Sequence, residues 1–424
     1  MNEYDVLIIG GGAAGYFAAI TCGEANPDLK IALLEGSRRP LTKVKISGGG
    51  RCNVTHNCLD PIRLCHNYPR GHKELRQIFH QFHVADTIAW FKKRGVNLKA
   101  EADGRMFATT NRSQTIIDCL NKAATEANVE LLKGHLVKAV SYTEEQFTVY
   151  LANKQAISSK NLMLATGSSP IGYKIAETMG HKIIPTVPSL FTFTIDDPRI
   201  SGLAGLSIEQ VSAKLSFSNS KKKYTQSGPL LITHWGLSGP CILKLSAWAA
   251  RELAEHKYHA KVELNLLPSL SKSQLSSQLQ SLKLSHSKKS IYNSFPFPEI
   301  PKRMWSKILE NLNIPVELSC AHLSNKQVDE ISDGLQKSVF EIHAKGEYKD
   351  EFVSCGGIDL KEVNTKRLES KLVPGLFFGG EILNIDGITG GFNFQNAWST
   401  AWIAGNHLMT ADEAKSTSRP IAAT

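Results

Sequence analysis

The segment that decides the fold is Val6-Leu7-Ile8-Ile9-Gly10-Gly11-Gly12-Ala13-Ala14-Gly15. Its apolar run predicts a buried parallel strand, because such strands are covered on both faces. The small and apolar residues after Gly15 predict a helix that directly follows the glycine turn. A second apolar run, Ile31 to Leu34, ends at Glu35. This order of strand, glycine turn, helix, strand and acid predicts a dinucleotide-binding βαβ unit.

Each residue type in this unit has a physical task. Gly10 permits the tight turn, Gly12 lets a diphosphate approach the backbone, and Gly15 lets the helix lie against the strand. The helix amino terminus presents N–H groups and a partial positive charge to phosphate. Glu35 follows Gly15 by about 20 positions, as expected of a carboxylate that binds ribose hydroxyls. The acid favours an unphosphorylated ribose, and both FAD and NAD satisfy the motif.

Three later segments favour FAD. Residues 162–167 form another buried run that ends in Ala165-Thr166-Gly167, and residues 374–381 form a strand pattern that ends in Gly380-Glu381. Residues 390–397 open an apolar helix whose amino terminus suits the negative charge of a reduced flavin. This arrangement resembles flavoproteins with two dinucleotide folds, in which the late acid holds the ribityl chain or a phosphate. Taken alone, residues 390–391 would indicate a plain helix cap.

An unusual block, KISGGGRCNVT, occupies residues 45–55. Three consecutive glycines flanked by basic and polar residues suit a loop whose backbone approaches a charged or planar ligand. A flexible surface loop is the alternative. We expect a cofactor contact, because the block closely follows the acid expected to bind ribose.

With these blocks in view, the sequence resembles the YhiN/BaiN-like family of FAD-binding oxidoreductases, also described as aminoacetone-oxidase-like. The resemblance rests on residues 45–55, on ATGS at 165–168, on THWGLSGP at 233–240 and on GGEILNIDGITGGFNFQ at 379–395. The blocks occur in order at both ends and in the middle of the chain. The resemblance implies a tightly bound FAD.

Carried over by position, the resemblance and the fingerprint imply one set of cofactor contacts. They are Gly10, Gly12, Ala13, Ala14, Gly15, Glu35, Ser47, Gly48, Gly49, Arg51, Cys52, Asn53, Ala165, Thr166, Gly167, Gly380, Glu381, Asp386, Gly391, Asn393 and Phe394. Two positions depart from the family: Ser168 replaces a frequent glycine, and Asn384 replaces a frequent aspartate. We expect the lost carboxylate to affect substrate choice or flavin potential, and FAD binding to persist through backbone contacts.

The middle of the chain differs in character. We predict an α/β fold, a discontinuous FAD-binding Rossmann-like domain of residues 1–188 and 352–424, interrupted by an α+β insert of strands then helices at 189–351. Within the insert, residues 211–224 predict a hairpin with a charged turn at Lys221–Lys223. Residues 269–290, rich in serine, leucine and lysine, predict an amphipathic helix or a partly disordered linker. The family resemblance implies that the insert shapes the substrate cavity.

Thr233 and His234 are candidate substrate contacts within the insert. A histidine flanked by threonine, serine and glycines is a candidate proton donor near the flavin. The alternative, which we favour slightly, is a turn leading into a helix at Pro240, with Ser238 as its cap. No catalytic residue is assigned from the sequence.

The cysteines and the amino terminus indicate the compartment. Eight cysteines in 424 residues are too few for a disulfide scaffold. Glu3 and Asp5 precede the first apolar run, which lacks the basic start of a signal peptide. No stretch approaches the roughly 18 apolar residues of a membrane span. We therefore expect a reduced, cytoplasmic protein without membrane contact.

A cluster of cysteines and histidines lies at residues 52–66, yet its spacing does not match the cysteine pairs of structural zinc sites. We expect no metal. A Cys-x-x-Cys pair is absent, which argues against a dithiol relay. Cys52 remains a candidate for a lone reactive thiol.

The net charge of +10 should attract anions such as nucleotide phosphates, nucleic acid or acidic substrates.

We predict an FAD-dependent oxidoreductase that transfers a hydride between flavin N5 and a small organic substrate, with O₂ or NAD(P)H as the other redox partner. A second glycine fingerprint is lacking, so NAD(P)H would bind only transiently. The alternatives are a flavin-dependent tRNA-modifying or RNA-binding protein and a redox-gated interaction module. Nucleic acid is less favoured, because basic runs are usually solvated faces. The oligomeric state is left open.

Overall fold

The computed structural model describes residues 2–218, 220–346 and 353–408. They form two compact units. The dinucleotide unit combines the residues up to Val187 with those from Val353 onward, and the insert lies between them in sequence from Pro188. No helix among these residues is long and apolar enough to cross a membrane.

The segment before the insert contains both strands and helices. The strands are β1 (Asn2–Ile9), β2 (Ile31–Glu35), β3 (Thr55–His56), β4 (Leu98–Ala100), β5 (Arg105–Ala108), β6 (Glu130–Lys133), β7 (Val137–Thr143), β8 (Gln146–Leu151), β9 (Ala156–Leu164) and β10 (Ile183–Ser189). The helices are α1 (Ala13–Ala25), α2 (Thr42–Gly50), α3 (Pro61–Cys65), α4 (His72–Gln81), α5 (Val84–Lys93), α6 (Ser113–Glu126) and α7 (Pro170–Thr178).

The insert and the returning segment complete the chain. The insert contains β11 (Phe193–Thr194), β12 (Ser207–Phe217), β13 (Ser220–Thr233), β14 (Gly236–Ser238), α8 (Pro240–Trp248), α9 (Ala250–Glu255), β15 (Ala260–Asn265), α10 (Lys272–Ser285), α11 (Lys302–Asn311), α12 (Asn325–Gln336), β16 (Ser338–Ile342) and β17 (Ala344–Lys345). The returning segment contains β18 (Val353–Ile358), β19 (Val363–Asn364), β20 (Glu369–Ser370), β21 (Leu376–Phe378) and α13 (Phe392–His407).

A parallel sheet organises the dinucleotide unit. Its parallel strands follow the order β21-β9-β1-β2-β6, while β7 with β8, and β20 with β19, extend it by antiparallel pairing. Val6 to Ile9 are buried, as expected of a strand covered on both faces. The helix α13 packs along α1, and a Cβ added at Gly405 would lie 2.7 Å from Ala18 O. The α/β, Rossmann-like fold class is therefore confirmed.

The insert has a sheet of its own. Its order is β16-β15-β12-β13-β14-β11-β17, and every pairing is antiparallel. Helix α8 packs against β12 and β13, and Trp305 of α11 is fully buried in the core of the insert. Residues 269–290 contain helix α10, whose Leu275, Leu279 and Leu282 are buried. Of the two structures predicted for this segment, the amphipathic helix is therefore confirmed, and the partly disordered linker is not.

Three local predictions in the insert are wrong in detail. The hairpin exists, but the β12–β13 register pairs Ser216 with Lys223, which places Lys221–Lys223 in a strand and not in the turn. The helix at Pro240 begins after Gly239, and the Ser238 hydroxyl accepts a hydrogen bond from Thr192 Oγ1 instead of capping the helix. Strands do not all precede helices, because β15, β16 and β17 return after α8.

Candidate functional site

The carboxyl ends of the parallel strands bring the predicted cofactor residues to one edge of the sheet. Gly10 follows β1, Glu35 ends β2, Ala165 follows β9, and Gly380 lies two residues beyond β21. The strand ends are in register, with Ile9 opposite both Leu34 and Leu164. In open α/β sheets, ligands bind outside this edge. Four segments far apart in sequence thus meet beside this edge, in the region that we call the cleft.

The glycine turn joins β1 tightly to α1 and leaves open space beside Gly12. A Cβ added at Gly15 would lie 1.9 Å from Gly10 O, so only glycine permits this approach of helix and strand. Gly12 is the N-cap and its side-chain position has nothing within 4 Å. The N–H groups of a first helical turn have no partners within the helix. The turn therefore offers donors and space to a diphosphate.

Glu35 is fixed beside the glycine turn. Its Oε2 accepts a hydrogen bond from Gly11 N at 2.9 Å, and its Oε1 accepts one from Ser37 N at 2.7 Å. Burial, together with the nearby Glu35 charge, raises the pKa of Tyr16 to about 12. The carboxylate therefore stands at the end of β2, where the sequence predicts a ribose contact.

The triple-glycine block forms a kink and not a continuous helix. Within α2, Ser47 leaves the helical conformation, and Gly48 and Gly49 are left-handed. Nothing lies within 4 Å of the side-chain position at Gly49. Arg51 turns away to an ion pair with Glu101 at 2.5 Å and stacks on the Phe107 ring at 3.9 Å. The loop therefore presents its backbone to open space.

The two residues after Arg51 lie inside the protein. Cys52 is fully buried, and burial raises the pKa of its thiol to about 12, which keeps it protonated at neutral pH. The Asn53 amide, in the orientation that satisfies both its atoms, donates to Thr55 O and accepts from Gly391 N, each at 3.0 Å. Asn53 therefore ties the triple-glycine block to the start of α13.

The late strand brings Glu381 to the cleft, together with a residue that the sequence prediction missed. Lys43 Nζ lies 2.7 Å from Glu381 Oε2 and 3.4 Å from Ser168 Oγ. Glu381 Oε1 accepts a hydrogen bond from Ser354 N at 2.9 Å. Burial and the Glu381 charge raise the pKa of Tyr173, which packs nearby. Lys43 of α2 thus orients the acid that follows the last strand.

The segment from Asp386 to Phe394 is held by bonds within the protein. Asp386 is fully buried and forms a bidentate ion pair with Arg70, with Arg70 Nε 2.6 Å from Asp386 Oδ1. The Asn393 amide bonds both N and O of Gly387, and the Phe394 ring stacks on Trp398 at 5.7 Å. These side chains shape the start of α13 from within.

Two buried partners were also missed by the sequence prediction. Arg70, described above, lies in a region that shows no motif. Gln395 Oε1 accepts hydrogen bonds from Thr55 Oγ1 at 2.6 Å and Thr87 Oγ1 at 3.0 Å. Gln395 falls within the block at 379–395 that carries the family resemblance, and this block is the sequence signal that could have identified it. Both residues act on the site through the elements they hold.

Thr233 and His234 belong to the insert, where Thr233 ends β13 and His234 follows it. Thr233 Oγ1 donates to Gly236 O at 3.2 Å and accepts from Trp235 N at 3.3 Å, which closes a turn between β13 and β14. His234 is exposed on this turn. The geometry therefore supports the turn interpretation. Among the described residues, no group of three or more His, Cys, Asp or Glu side chains is placed to hold a metal ion.

FAD fits the cleft on observations of this chain. At Gly12 and Gly49 no protein atom lies within 4 Å of the side-chain position, and a Cβ there would fill this space. Thr166 Oγ1 is shielded from solvent and has no hydrogen-bond partner in the described part of the chain. The side-chain oxygens of Asn384 and Asn396 share this property. Shielded polar atoms are costly unless a ligand or water satisfies them. FAD, when bound, supplies two-electron chemistry at its ring system.

Comparisons with known proteins show the family of this chain. The chain matches the HI0933-like protein Rossmann domain over residues 4–407. The ribosomal RNA dihydrouridine synthase of Escherichia coli (strain K12) is 30% identical over 420 residues, which cover 97% of this chain and 99% of that protein. The 3-dehydro-bile acid delta(4,6)-reductase of Clostridium scindens is 27% identical over 410 residues, which cover 94% and 97%.

A solved structure shares the fold. The 3-ketosteroid-delta4-(5alpha)-dehydrogenase from Rhodococcus jostii RHA1 matches with a TM-score of 0.51 at 12% identity, covering 96% of this chain and 97% of that one. At this identity the likeness speaks for the architecture alone.

Proposed function

This chain belongs to the HI0933-like Rossmann family, and from that premise we propose that it reduces a carbon–carbon double bond conjugated to a carbonyl group. The protein is an FAD-dependent oxidoreductase. The substrate we propose to test first is the uracil ring of uridine in RNA.

The two curated relatives support the reaction class, because their names describe related chemistry. Formation of dihydrouridine saturates the C5–C6 double bond of uracil, which is conjugated to the C4 carbonyl. A delta(4,6)-reductase of a 3-dehydro-bile acid acts on double bonds conjugated to a ketone. In both, the carbonyl makes the remote carbon of the double bond electrophilic. Similarity over at least 94% of this chain is the observation that carries the proposal.

The chain's own residues would bind and orient the reactants. The Gly10–Gly15 turn and the first turn of α1 would hold the diphosphate, Glu35 the ribose, and Glu381 the ribityl region. The amino terminus of α13 contributes a positive dipole end. Overall, the reaction adds a hydride equivalent and a proton to the double bond, and a reduced nicotinamide nucleotide, NADH or NADPH, is the proposed donor.

RNA is favoured over a small molecule by two observations. The relative named for ribosomal RNA is the more similar of the two, at 30% against 27% identity. The net charge of +10 suits a polyanionic substrate. This reverses the preference drawn from the sequence. A small conjugated ketone is the second candidate, supported by the similarity to the bile acid reductase.

The test starts from anaerobic, FAD-loaded protein mixed with NADH or NADPH. Bleaching of the flavin band identifies the donor. The reduced protein is then given a uridine-containing RNA transcript or, in a parallel arm, cyclohexenone. Return of the flavin band together with RNA that has gained the mass of H₂ per modified uridine supports the RNA substrate. Turnover of cyclohexenone alone supports the second candidate, and turnover of neither contradicts the reaction class.

A further inference from the structure

A basic cleft lies in the insert, and all the residues that line it belong to that unit. It has a volume of about 400 Å³ and lies between the loop at Ser201–Leu203 and the start of α11. Three cationic side chains line it, those of Lys302, Arg303 and Lys307, and Glu310 is the acidic residue in its lining. Such a set attracts an anion of phosphate type.

Hydrogen bonds hold these cations in place without neutralising two of them. Arg303 Nη2 donates to Gly202 O at 2.5 Å, and Lys302 Nζ donates to Asn293 Oδ1 at 3.3 Å. Both acceptors are uncharged. Lys307 Nζ lies 3.5 Å from Glu310 Oε2, in an exposed pair of low expected strength. The cleft therefore retains a net positive charge.

The sequence around the cleft is also basic. Residues 268–310 carry seven lysines and arginines against two glutamates. They include Lys288 and Lys289, which follow α10 and for which no ion pair is found among the described residues. This stretch includes the serine- and lysine-rich residues 269–290, which have no role in the redox site described above. A run of phosphates matches such a band better than one small anion does.

The insert also carries an exposed aromatic ring. Trp235 is 56% exposed on the turn between β13 and β14. Gly205 N donates to Ile232 O at 2.9 Å, so the loop that lines the cleft leaves the sheet beside this turn. An exposed tryptophan offers a face on which an unpaired base can stack.

We propose that the insert binds single-stranded RNA, with the cleft at Lys302, Arg303 and Lys307 holding phosphates and Trp235 stacking on a base. The proposal rests on the proposed function, because it supplies the contact by which an RNA substrate would be held. It adds a binding surface made of residues that do not form the flavin cleft.

The experiment measures binding of a fluorescently labelled, single-stranded RNA oligonucleotide to the FAD-loaded protein. The Lys302→Gln/Lys307→Gln variant should bind roughly 20-fold more weakly at about 0.1 M salt, because each lost phosphate contact lowers the slope of log K against log salt by about 0.7. Trp235→Ala should bind about tenfold more weakly with an unchanged slope, since stacking is not ionic. Thermal midpoints and flavin content show that the variants are folded.

Matched controls separate this surface from general charge attraction. Lys214→Gln/Lys261→Gln removes the same charge from β12 and β15, where each lysine faces a glutamate. Leu284→Ala removes another exposed apolar side chain, on α10. Both controls should bind RNA as the unchanged protein does. Equal weakening in the lysine control, or no weakening in the cleft variant, overturns the proposal.

Turnover distinguishes the two proposals. If the cleft variant binds RNA weakly but the unchanged protein forms no dihydrouridine, the surface stands and the proposed function fails. If the protein reduces uridine and the cleft variant keeps the same KM for RNA, the function stands and the surface is wrong.

Discussion

Lys43 Nζ lies 2.7 Å from Glu381 Oε2, so a side chain of α2 pairs with the acid that follows the last parallel strand. The two residues are 338 positions apart in sequence. Lys43 is half exposed, whereas the Glu381 side chain is 18% exposed. The pair thus holds the acid at the edge of the cleft more than it stabilises the fold.

Replacing Lys43 by Met should weaken FAD binding several-fold while costing only about 0.5 kcal/mol of unfolding free energy, because exposed ion pairs contribute little. Titration of the apoprotein with FAD, followed by tryptophan fluorescence, measures the dissociation constant. Lys122→Met, which breaks an exposed ion pair with Glu126 on α6, is the control and should bind FAD normally. Equal effects of the two variants would show that the ion pair does not position Glu381.

The buried pair of Arg70 and Asp386 should matter for stability. Arg70→Met leaves a fully buried carboxylate without its charge partner, at an expected cost of about 3–5 kcal/mol. Urea unfolding followed by circular dichroism measures this cost. Adding Asp386→Asn to Arg70→Met removes the stranded charge and should recover part of it. A double variant less stable than the single variant would contradict this account.

His181 predicts a loss of stability in acid. Its Nε2 lies 2.8 Å from Ser370 Oγ, and burial lowers the pKa of its imidazole despite the neighbouring Glu362. The folded state therefore disfavours the charged form, so stability is full above the unfolded pKa of about 6.5 and falls as the pH drops below it. Thermal midpoints should decrease between about pH 7.5 and pH 5.5.

His181→Gln should flatten this decrease, and replacement of the exposed His80 by Gln should leave it unchanged. If His181→Gln retains the full pH dependence, other groups cause the acid sensitivity.

The parallel strands and the glycine turn were predictable from the sequence, because apolar runs and glycines determine the conformation of the few residues around them. The partners Lys43 and Arg70 were not predictable, since Arg70 meets Asp386 across 316 positions and only the tertiary fold joins them. The charged turn at Lys221–Lys223 was misplaced because the register of β12 and β13, and not the position of the charges, sets the turn. Ser238 was misassigned because Thr192 takes its hydroxyl.

If the glycine-lined cleft holds FAD, substitutions at two of its glycines should act by opposite routes. A Cβ at Gly15 would meet Gly10 O at 1.9 Å, so Gly15→Ala should destabilise the fold by about 3 kcal/mol. A Cβ at Gly12 meets no protein atom within 4 Å, and its φ of −90° suits alanine. Gly12→Ala should therefore fold normally and intrude only on the bound diphosphate.

The most direct measurement is FAD titration of the Gly12→Ala apoprotein beside the unchanged apoprotein, with thermal midpoints recorded for both. We predict that the unchanged protein binds FAD and becomes yellow, while Gly12→Ala keeps its thermal midpoint and loses most of its affinity. Equal FAD binding by the two proteins, or no binding by either, would contradict the assignment of this cleft.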